Sequence, residues 1–249
     1  MKTYGLIGYP LGHSFSKKFF TEKFDKENLK NHQYLNFEID SIDKFSSIFD
    51  KEENICGLNC TIPYKQQVMT FLDSIDTEAQ EVGAVNTIKI LNSDVGIQLK
   101  GFNTDIIGFE RSITPMLEEK HQKALILGTG GASKAIKHVL KKLGISYVSA
   151  SIEKELFENE IRYSAINEEL MRSHLLIINA TPLGTYPKVD TCPDIPYNFI
   201  TSDHVMFDLV YNPEITLFMQ KGIEKRAKVK NGLEMLHGQA IAAWEIWNS

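Results

Sequence analysis

The sequence has no apolar run near the ~20 residues that span a bilayer. Its start, Met1 to Ser16, lacks the apolar stretch and small-residue cleavage site of a secretory leader. Basic residues are not in excess. Against 32 Asp and Glu stand 27 Lys and Arg, a net charge of −5, so no global field favours nucleic acid. Cysteine is scarce: Cys56, Cys60 and Cys192 are an odd number and form no disulfide framework. No His or further Cys pair completes a metal-ligand pattern around Cys56 and Cys60, so no metal is expected. Reduced thiols in a cytoplasmic protein fit this usage. Low-complexity segments and internal repeats are also missing.

What is present is the composition of an ordinary globular protein, 43% apolar and 24% charged over 249 residues. That length suits one large domain or two modest ones. The first hundred residues alternate strand and helix patterns. Thr3–Tyr9, Tyr34–Ile39 and Ile55–Ile62 read as strands, and Phe19, Phe20 and Phe24 as one helix face. Ile42, Phe45, Ile48 and Phe49 recur at helical spacing, and Val68, Phe71, Leu72 and Ile75 give a second such stripe. Ala84–Leu91 and Val95–Phe102 flank a hairpin turn at Asn92-Ser93-Asp94. A helix beginning near Asp105 links to a second α/β unit. There Ala124–Leu127 is a buried-type strand, Ile136, Val139, Leu140 and Leu143 mark a helix, and Gly144 suits its C-terminal cap. Ser146–Ala150, Leu175–Asn179 and Val205–Val210 are further strands, and a last helix starts near Gly232. Ser151 to Ala165 is poorly patterned. The fold class is therefore α/β in two domains. Periodicity does not say on which of them the last helix packs.

Chemistry gathers at strand ends. A strand, then Gly128-x-Gly130-Gly131-Ala132, then a helix is the arrangement that grips a pyrophosphate on free N–H groups. Ser133 stands where the third glycine of the fingerprint would be. At the next strand's end, Ser149-Ala150-Ser151-Ile152-Glu153-Lys154 places neither an acid squarely at the tip nor an Arg, though Ser151 and Lys154 could meet a phosphate. In the first half, Ser14 and Ser16 on an extended backbone would present two hydroxyls to a carboxylate, or else cap a helix. Asn59 and Thr61 share one face of their strand, with Leu58, Cys60 and Ile62 toward the core. Lys65 follows Pro63. Asn86 opens a strand, and Asp105 alone is simplest as a helix N-cap. Gln239 lies beside the apolar stripe of the last helix, where it serves a buried hydrogen bond or a ligand. Tyr211 follows a strand's C-terminal end, where ligands bind in open α/β sheets.

Eight segments together resemble the shikimate dehydrogenase family, in that family's order and over essentially the whole chain. They are Gly12-His13-Ser14-Phe15-Ser16, Gly57 to Lys65, Gly83 to Thr87, Gly101 to Asp105, Gly128 to Ser133, Asn179 to Gly184, Asp208 to Tyr211, and Asn231 to Gln239. The resemblance implies a shikimate-binding catalytic domain over residues 1–105 plus 233–249, with the last helix returning to it. Residues 106–232 would be a Rossmann domain binding NADP. It implies that Ser14 and Ser16 hold the substrate carboxylate, that Asn59, Thr61 and Asn86 bind ring hydroxyls, and that Lys65 and Asp105 are the catalytic pair. Tyr211 and Gln239 match further substrate positions. Gly128, Gly130, Gly131, Ala132, Ser151, Thr181, Leu209 and Gly232 match the cofactor side, Gly232 beside the nicotinamide. Lys17 stands where many members have Pro. Ile152 stands where many have the Arg that grips the 2′-phosphate, which keeps NAD as an alternative to NADP.

The implied reaction is reversible reduction of 3-dehydroshikimate to shikimate, in aromatic amino acid biosynthesis. The cofactor supplies a hydride and Lys65 a proton, with Asp105 orienting it. An ordinary lysine is protonated at neutral pH, which suits a proton donor and stabilises a forming alkoxide. The rival readings are a quinate dehydrogenase with NAD preference, a methyltransferase using the glycine-rich turn, and a non-catalytic sensor of the same fold. The expected partners are small molecules alone, with neither nucleic acid nor membrane, for a cytoplasmic monomer or homodimer.

Overall fold

The computed structural model describes residues 1–12, 14–93 and 96–249 of the chain. His13, Asp94 of the expected turn and Val95, the expected start of the strand after it, lie outside the described residues, while Asn92 and Ser93, expected in the turn, are the last residues of a strand. The chain divides into two compact units, Met1–Thr104 with Gln239–Ser249, and Asp105–Gly238.

The first unit runs β1 (Lys2–Gly8), α1 (Phe15–Lys26), β2 (His32–Glu38), α2 (Ser47–Lys51), β3 (Ile55–Cys60), β4 (Ser74–Ile75), α3 (Thr77–Val82), β5 (Thr87–Ser93) and β6 (Gly96–Phe102). Its sheet has the order β2-β1-β3-β5-β6-β4, parallel around β1 and antiparallel around β5. Alternate residues of β1 feed two cores. Ile7 joins Phe45, Leu58, Val68 and Ile88 on one face. Tyr4 and Leu6 join Phe20, Tyr34 and Trp247 on the other.

The stripe from Val68 to Ile75 does not form one helix. A 3-10 turn covers Gln67–Phe71, and Ile75 belongs to β4. The reason is a side chain: the Asp73 carboxylate accepts the Leu99 N–H at 2.7 Å and draws this segment to the edge of β6. Ile62 is not a core residue either. The strand ends at Cys60, and Ile62 is 74% exposed.

The helix α4 (Thr104–Ile113) opens the second unit. It is followed by β7 (Lys123–Leu127), α5 (Gly131–Lys142), β8 (Ser146–Ser151), β9 (Glu160–Arg162), α6 (Glu168–Ser173), β10 (Leu176–Asn179), β11 (Val205–Asp208), α7 (Leu217–Glu224), β12 (Lys228–Lys230) and α8 (Leu233–Asn248). The six strands are all parallel, in the order β12-β11-β10-β7-β8-β9. That is the doubly wound dinucleotide-binding order, and its switch point falls between β7 and β10. Ala124 to Leu127 and Leu176 to Asn179 are wholly buried, as central parallel strands covered on both faces must be. Gly144, at φ +71°, ends α5 in the left-handed conformation that a Cβ disfavours. The end of α8 packs on the first unit, where Trp247 Nε1 donates to the Ile88 carbonyl at 3.1 Å. Among the described residues no helix is long and apolar enough to cross a membrane.

Candidate functional site

In the first unit a buried polar network joins several of the singled-out residues. Asn59, on β3, accepts the Tyr34 hydroxyl on Oδ1 at 2.8 Å. Its Nδ2 donates to the Asn86 carbonyl at 3.3 Å and to Thr87 Oγ1 at 3.2 Å. Asn86 Oδ1 accepts the Thr104 N–H at 2.7 Å, and the hydroxyls of Thr104 and Thr87 at 3.1 Å each. Thr104 Oγ1 has a single proton, which it shares between Asn86 Oδ1 and the more distant Gln239 Oε1 at 3.5 Å. Ser16 bonds to the Tyr34 hydroxyl, whose pKa burial drives far above the ordinary phenol value, so it stays a donor. Ser16, Asn59, Asn86 and Gln239 thus share one hydrogen-bonded system. Such a system holds amide and hydroxyl groups at fixed positions, which recognition of a polyhydroxylated ring needs.

Thr61, just past β3, is half-buried and is tied through its N–H to Ile7 O at 2.9 Å. Lys65 is half-buried in the turn beyond Pro63. Its backbone is pinned on both sides. Tyr64 donates its hydroxyl to Ile39 O at 2.7 Å, and the Lys65 carbonyl accepts the Val85 N–H at 2.7 Å. Burial pushes the Cys60 thiol up to about 12, against the opposing charge of Lys65. That thiol stays protonated and inert at neutral pH.

The serine pair does not sit on one extended strand. Ser14 is the N-cap of α1 and accepts the Lys17 N–H at 3.2 Å, while Ser16 lies in the first helical turn. An uncapped helix N–H costs more than the extended arrangement returns, so the cap forms. The Ser14 hydroxyl proton is not used by that cap. Asp105 is not an N-cap, because α4 begins at Thr104 and Asp105 falls in its first turn, half-buried. Tyr211 stands three residues beyond β11 and is 42% exposed.

In the second unit a cavity of about 500 Å³ opens at the switch point between β7 and β10. Gly128, Gly130 and Thr181 line it. Gly128 has φ +98°, and a Cβ there would lie 2.9 Å from Thr181 Cγ2, so only glycine fits. A Cβ on Gly130 or Gly131 would meet nothing within 4 Å, so room is left in front of the helix. The α5 N-terminus has no side-chain cap, and while the Ser133 N–H donates to Gly130 O at 3.0 Å, the Gly131 and Ala132 N–H groups remain for an incoming anion. Ser133, at the third fingerprint position, donates to Gly130 O at 2.6 Å and tightens the same turn. These features fit a dinucleotide's pyrophosphate. Ala132 follows within α5, and Ser151 Oγ lies 3.3 Å from Thr129 Oγ1 of the turn. Leu209 and Gly232 do not line this cavity. They pack on each other, and a Cβ on Gly232 would fall 2.1 Å from Leu209 O.

Sequence reasoning missed the pair that braces these loops. Asn179 and Asp208 end β10 and β11 in register, both wholly buried. Asn179 Oδ1 accepts the Thr181 N–H at 3.0 Å and its hydroxyl at 2.6 Å, and Nδ2 donates to Asp208 Oδ1 at 2.9 Å. Asp208 also accepts the Val210 N–H at 3.0 Å and the Thr216 hydroxyl at 2.5 Å. Burial still pushes its carboxyl up to about 6. The signal was available: two polar residues ending otherwise apolar strands of a parallel sheet. Among the described residues no group of three His, Cys, Asp or Glu is placed to hold a metal ion.

Comparison with known proteins agrees with this geometry. The family model "Shikimate dehydrogenase substrate binding domain" matches residues 6–88, which contain Ser14, Ser16, Asn59, Thr61, Lys65 and Asn86. The chain is 37% identical over 264 residues to the shikimate dehydrogenase (NADP(+)) of Methanococcus maripaludis, covering 99% of this chain and 91% of that protein. It is similar, with TM-score 0.85 and 36% identity, to a chorismate mutase/shikimate 5-dehydrogenase fusion protein from Clostridium acetobutylicum, covering 100% of this chain and 91% of that one. It is also similar to shikimate 5-dehydrogenase from Thermus thermophilus in complex with NADP(H) and shikimate, with TM-score 0.84 and 27% identity over 99% and 93% of the two chains. With these matches spanning both units, the chain belongs to the shikimate dehydrogenase family.

Proposed function

We propose that this chain is an NADP-dependent shikimate dehydrogenase that reversibly reduces 3-dehydroshikimate to shikimate in aromatic amino acid biosynthesis. The observation that carries the proposal is the network of buried Asn59 and Asn86 with half-buried Gln239, which lies in the unit whose sequence matches the substrate-binding model. Residues 1–105 with 233–249 act as the substrate domain, and residues 106–232 as the cofactor domain.

Each residue then has a role that its surroundings allow. Ser14 donates the proton that its cap leaves over to the substrate carboxylate, and Ser16 assists. Asn59, Thr61 and Asn86 take the ring hydroxyls. All three bonds of the Asn86 side chain use Oδ1, which leaves Nδ2 as the donor toward substrate. Tyr211 and Gln239 add further substrate contacts. The Gly128 to Ala132 turn holds the pyrophosphate, while Ser151, Thr181, Leu209 and Gly232 form the rest of the cofactor side. When bound, the nicotinamide supplies the hydride for reduction and accepts it for oxidation. Lys65 gives a proton to the forming alkoxide and takes it back in oxidation, while Asp105 orients its ammonium. The enzyme works in the cytoplasm as a monomer or homodimer.

The test is initial-rate oxidation of shikimate by the purified protein, with NADP and NAD side by side and quinate as control. Turnover of shikimate well above quinate supports the proposal. Folded protein inactive on shikimate with either cofactor refutes it.

A further inference from the structure

A phosphate on the 2′ position of a dinucleotide carries up to two negative charges and needs a cation within reach. The cavity wall does not offer one. Its ionisable lining includes the carboxylates of Glu153 and Asp194, and no Lys, Arg or His among the described residues lines it. Ile152, the first residue past β8, is 85% exposed and carries no charge.

A cation anchored to the turn beside the cavity comes from the neighbouring strand. β9 pairs in parallel with β8, and Arg162 stands opposite Ser151 at the same end of the sheet. The guanidinium donates from Nη1 to the Glu153 carbonyl and from Nη2 to the Lys154 carbonyl. It is thereby held against the backbone of the turn that follows β8. The same turn is tied to the glycine-rich loop. Glu153 N donates to Ser151 Oγ at 3.2 Å, and Ser151 Oγ lies 3.3 Å from Thr129 Oγ1. One run of hydrogen bonds therefore links Thr129, Ser151, the 153–154 turn and Arg162.

We propose that Arg162 is the residue that lets this chain accept the 2′-phosphate of NADP. Its guanidinium has five N–H donors, so the two carbonyl bonds do not exhaust it. Lys154, exposed on the same turn, has no comparable anchoring. The assignment rests on the reading of this cavity as an NADP site.

The experiment is calorimetric binding of adenosine 2′,5′-bisphosphate and of AMP to the full chain. It compares wild type with Arg162→Met, Arg162→Lys and Lys154→Ala. Wild type should prefer the bisphosphate by about tenfold or more, the scale of one charge-assisted hydrogen bond. Arg162→Met should erase most of that preference and leave AMP binding unchanged. Arg162→Lys should recover part of it, and Lys154→Ala should change little. Equal losses for both ligands in Arg162→Met would reduce Arg162 to a brace of the turn and overturn the proposal. So would a preference that survives Arg162→Met or that Lys154→Ala removes. Wild type that binds AMP without preference refutes the role of Arg162 alone. Wild type that binds neither ligand removes the dinucleotide reading, and this assignment with it.

Discussion

Replacing Asn86 separates the scaffold role of its side chain from its role toward substrate. In Asn86→Ala three donors lose their common acceptor. Two of them are hydroxyls 3.1 Å apart, on Thr87 and Thr104, which can rotate and bond to each other. The third is the Thr104 N–H, at 2.7 Å, the first of α4, and it cannot rotate. Thr104 is wholly buried, so water does not replace the amide. One buried unsatisfied donor costs about 1–3 kcal/mol. With the small cavity left by the side chain, the expected loss is about 2–4 kcal/mol. For a chain of this length that lowers Tm by about 4–16 °C. Asn86→Asp keeps an oxygen where Oδ1 sits, so all three donors stay paired, and its charge lies favourably at the start of α4. It replaces the Nδ2 donor, however. It should keep Tm within a few degrees and raise the KM for shikimate, whereas Asn86→Ala loses on both counts. The assay is thermal unfolding by circular dichroism together with initial-rate kinetics. An unchanged Tm in Asn86→Ala, or equal destabilisation in both variants, would refute the reasoning.

Gly232→Ala should weaken NADP binding and cost stability by about 1–3 kcal/mol or more, because its Cβ would fall 2.1 Å from the Leu209 carbonyl oxygen and backbone cannot rotate away; calorimetry and urea unfolding measure both. Ser14→Ala should lose about 0.5–2 kcal/mol from the missing α1 cap, and raise KM for shikimate more than it lowers kcat. Burial raises the Asp208 carboxyl to about 6, so the folded chain binds that proton more tightly than the unfolded one between pH 4 and 6. Its contribution to stability is full below that window and falls as pH rises through it. The unfolding free energy of wild type relative to Asp208→Asn should therefore drop by about 2–3 kcal/mol from pH 4 to pH 7, and a flat difference would refute this. His204 acts in the opposite sense. Its ring accepts the Thr201 N–H at 3.0 Å on Nδ1 and contacts Met171 O at 3.0 Å through Nε2, and burial lowers its pKa. Its contribution is full above about pH 6.5 and is lost as pH falls, so His204→Gln should show a shallower loss between pH 6.5 and 5 in urea unfolding.

The parallel sheet was the most legible part of the sequence. Strands buried on both faces read as short apolar runs, and glycines punctuate them at Gly128 and Gly144. The helix α3 was missed because six residues are too few for periodicity, although Asp76 caps its start and Gly83, at φ +67°, ends it. Strands β4 and β9 were equally invisible. Two and three residues carry no pattern, and their conformation comes from the strand beside them. Arg162 gained its candidate role only through that pairing. Asn59, Thr61 and Asn86 were visible as polar residues at strand ends. That Asn86 Oδ1 gathers three donors is a property of how β5 meets the start of α4, and it could not be read from spacing.

The most direct test is the turnover of shikimate by wild type beside Lys65→Met, at saturating shikimate and cofactor. The expected result is a fall in kcat of about 10²–10⁴-fold with an unchanged unfolding temperature, the loss proper to one acid–base group. A folded Lys65→Met enzyme with near wild-type kcat would contradict the assignment of the proton to Lys65.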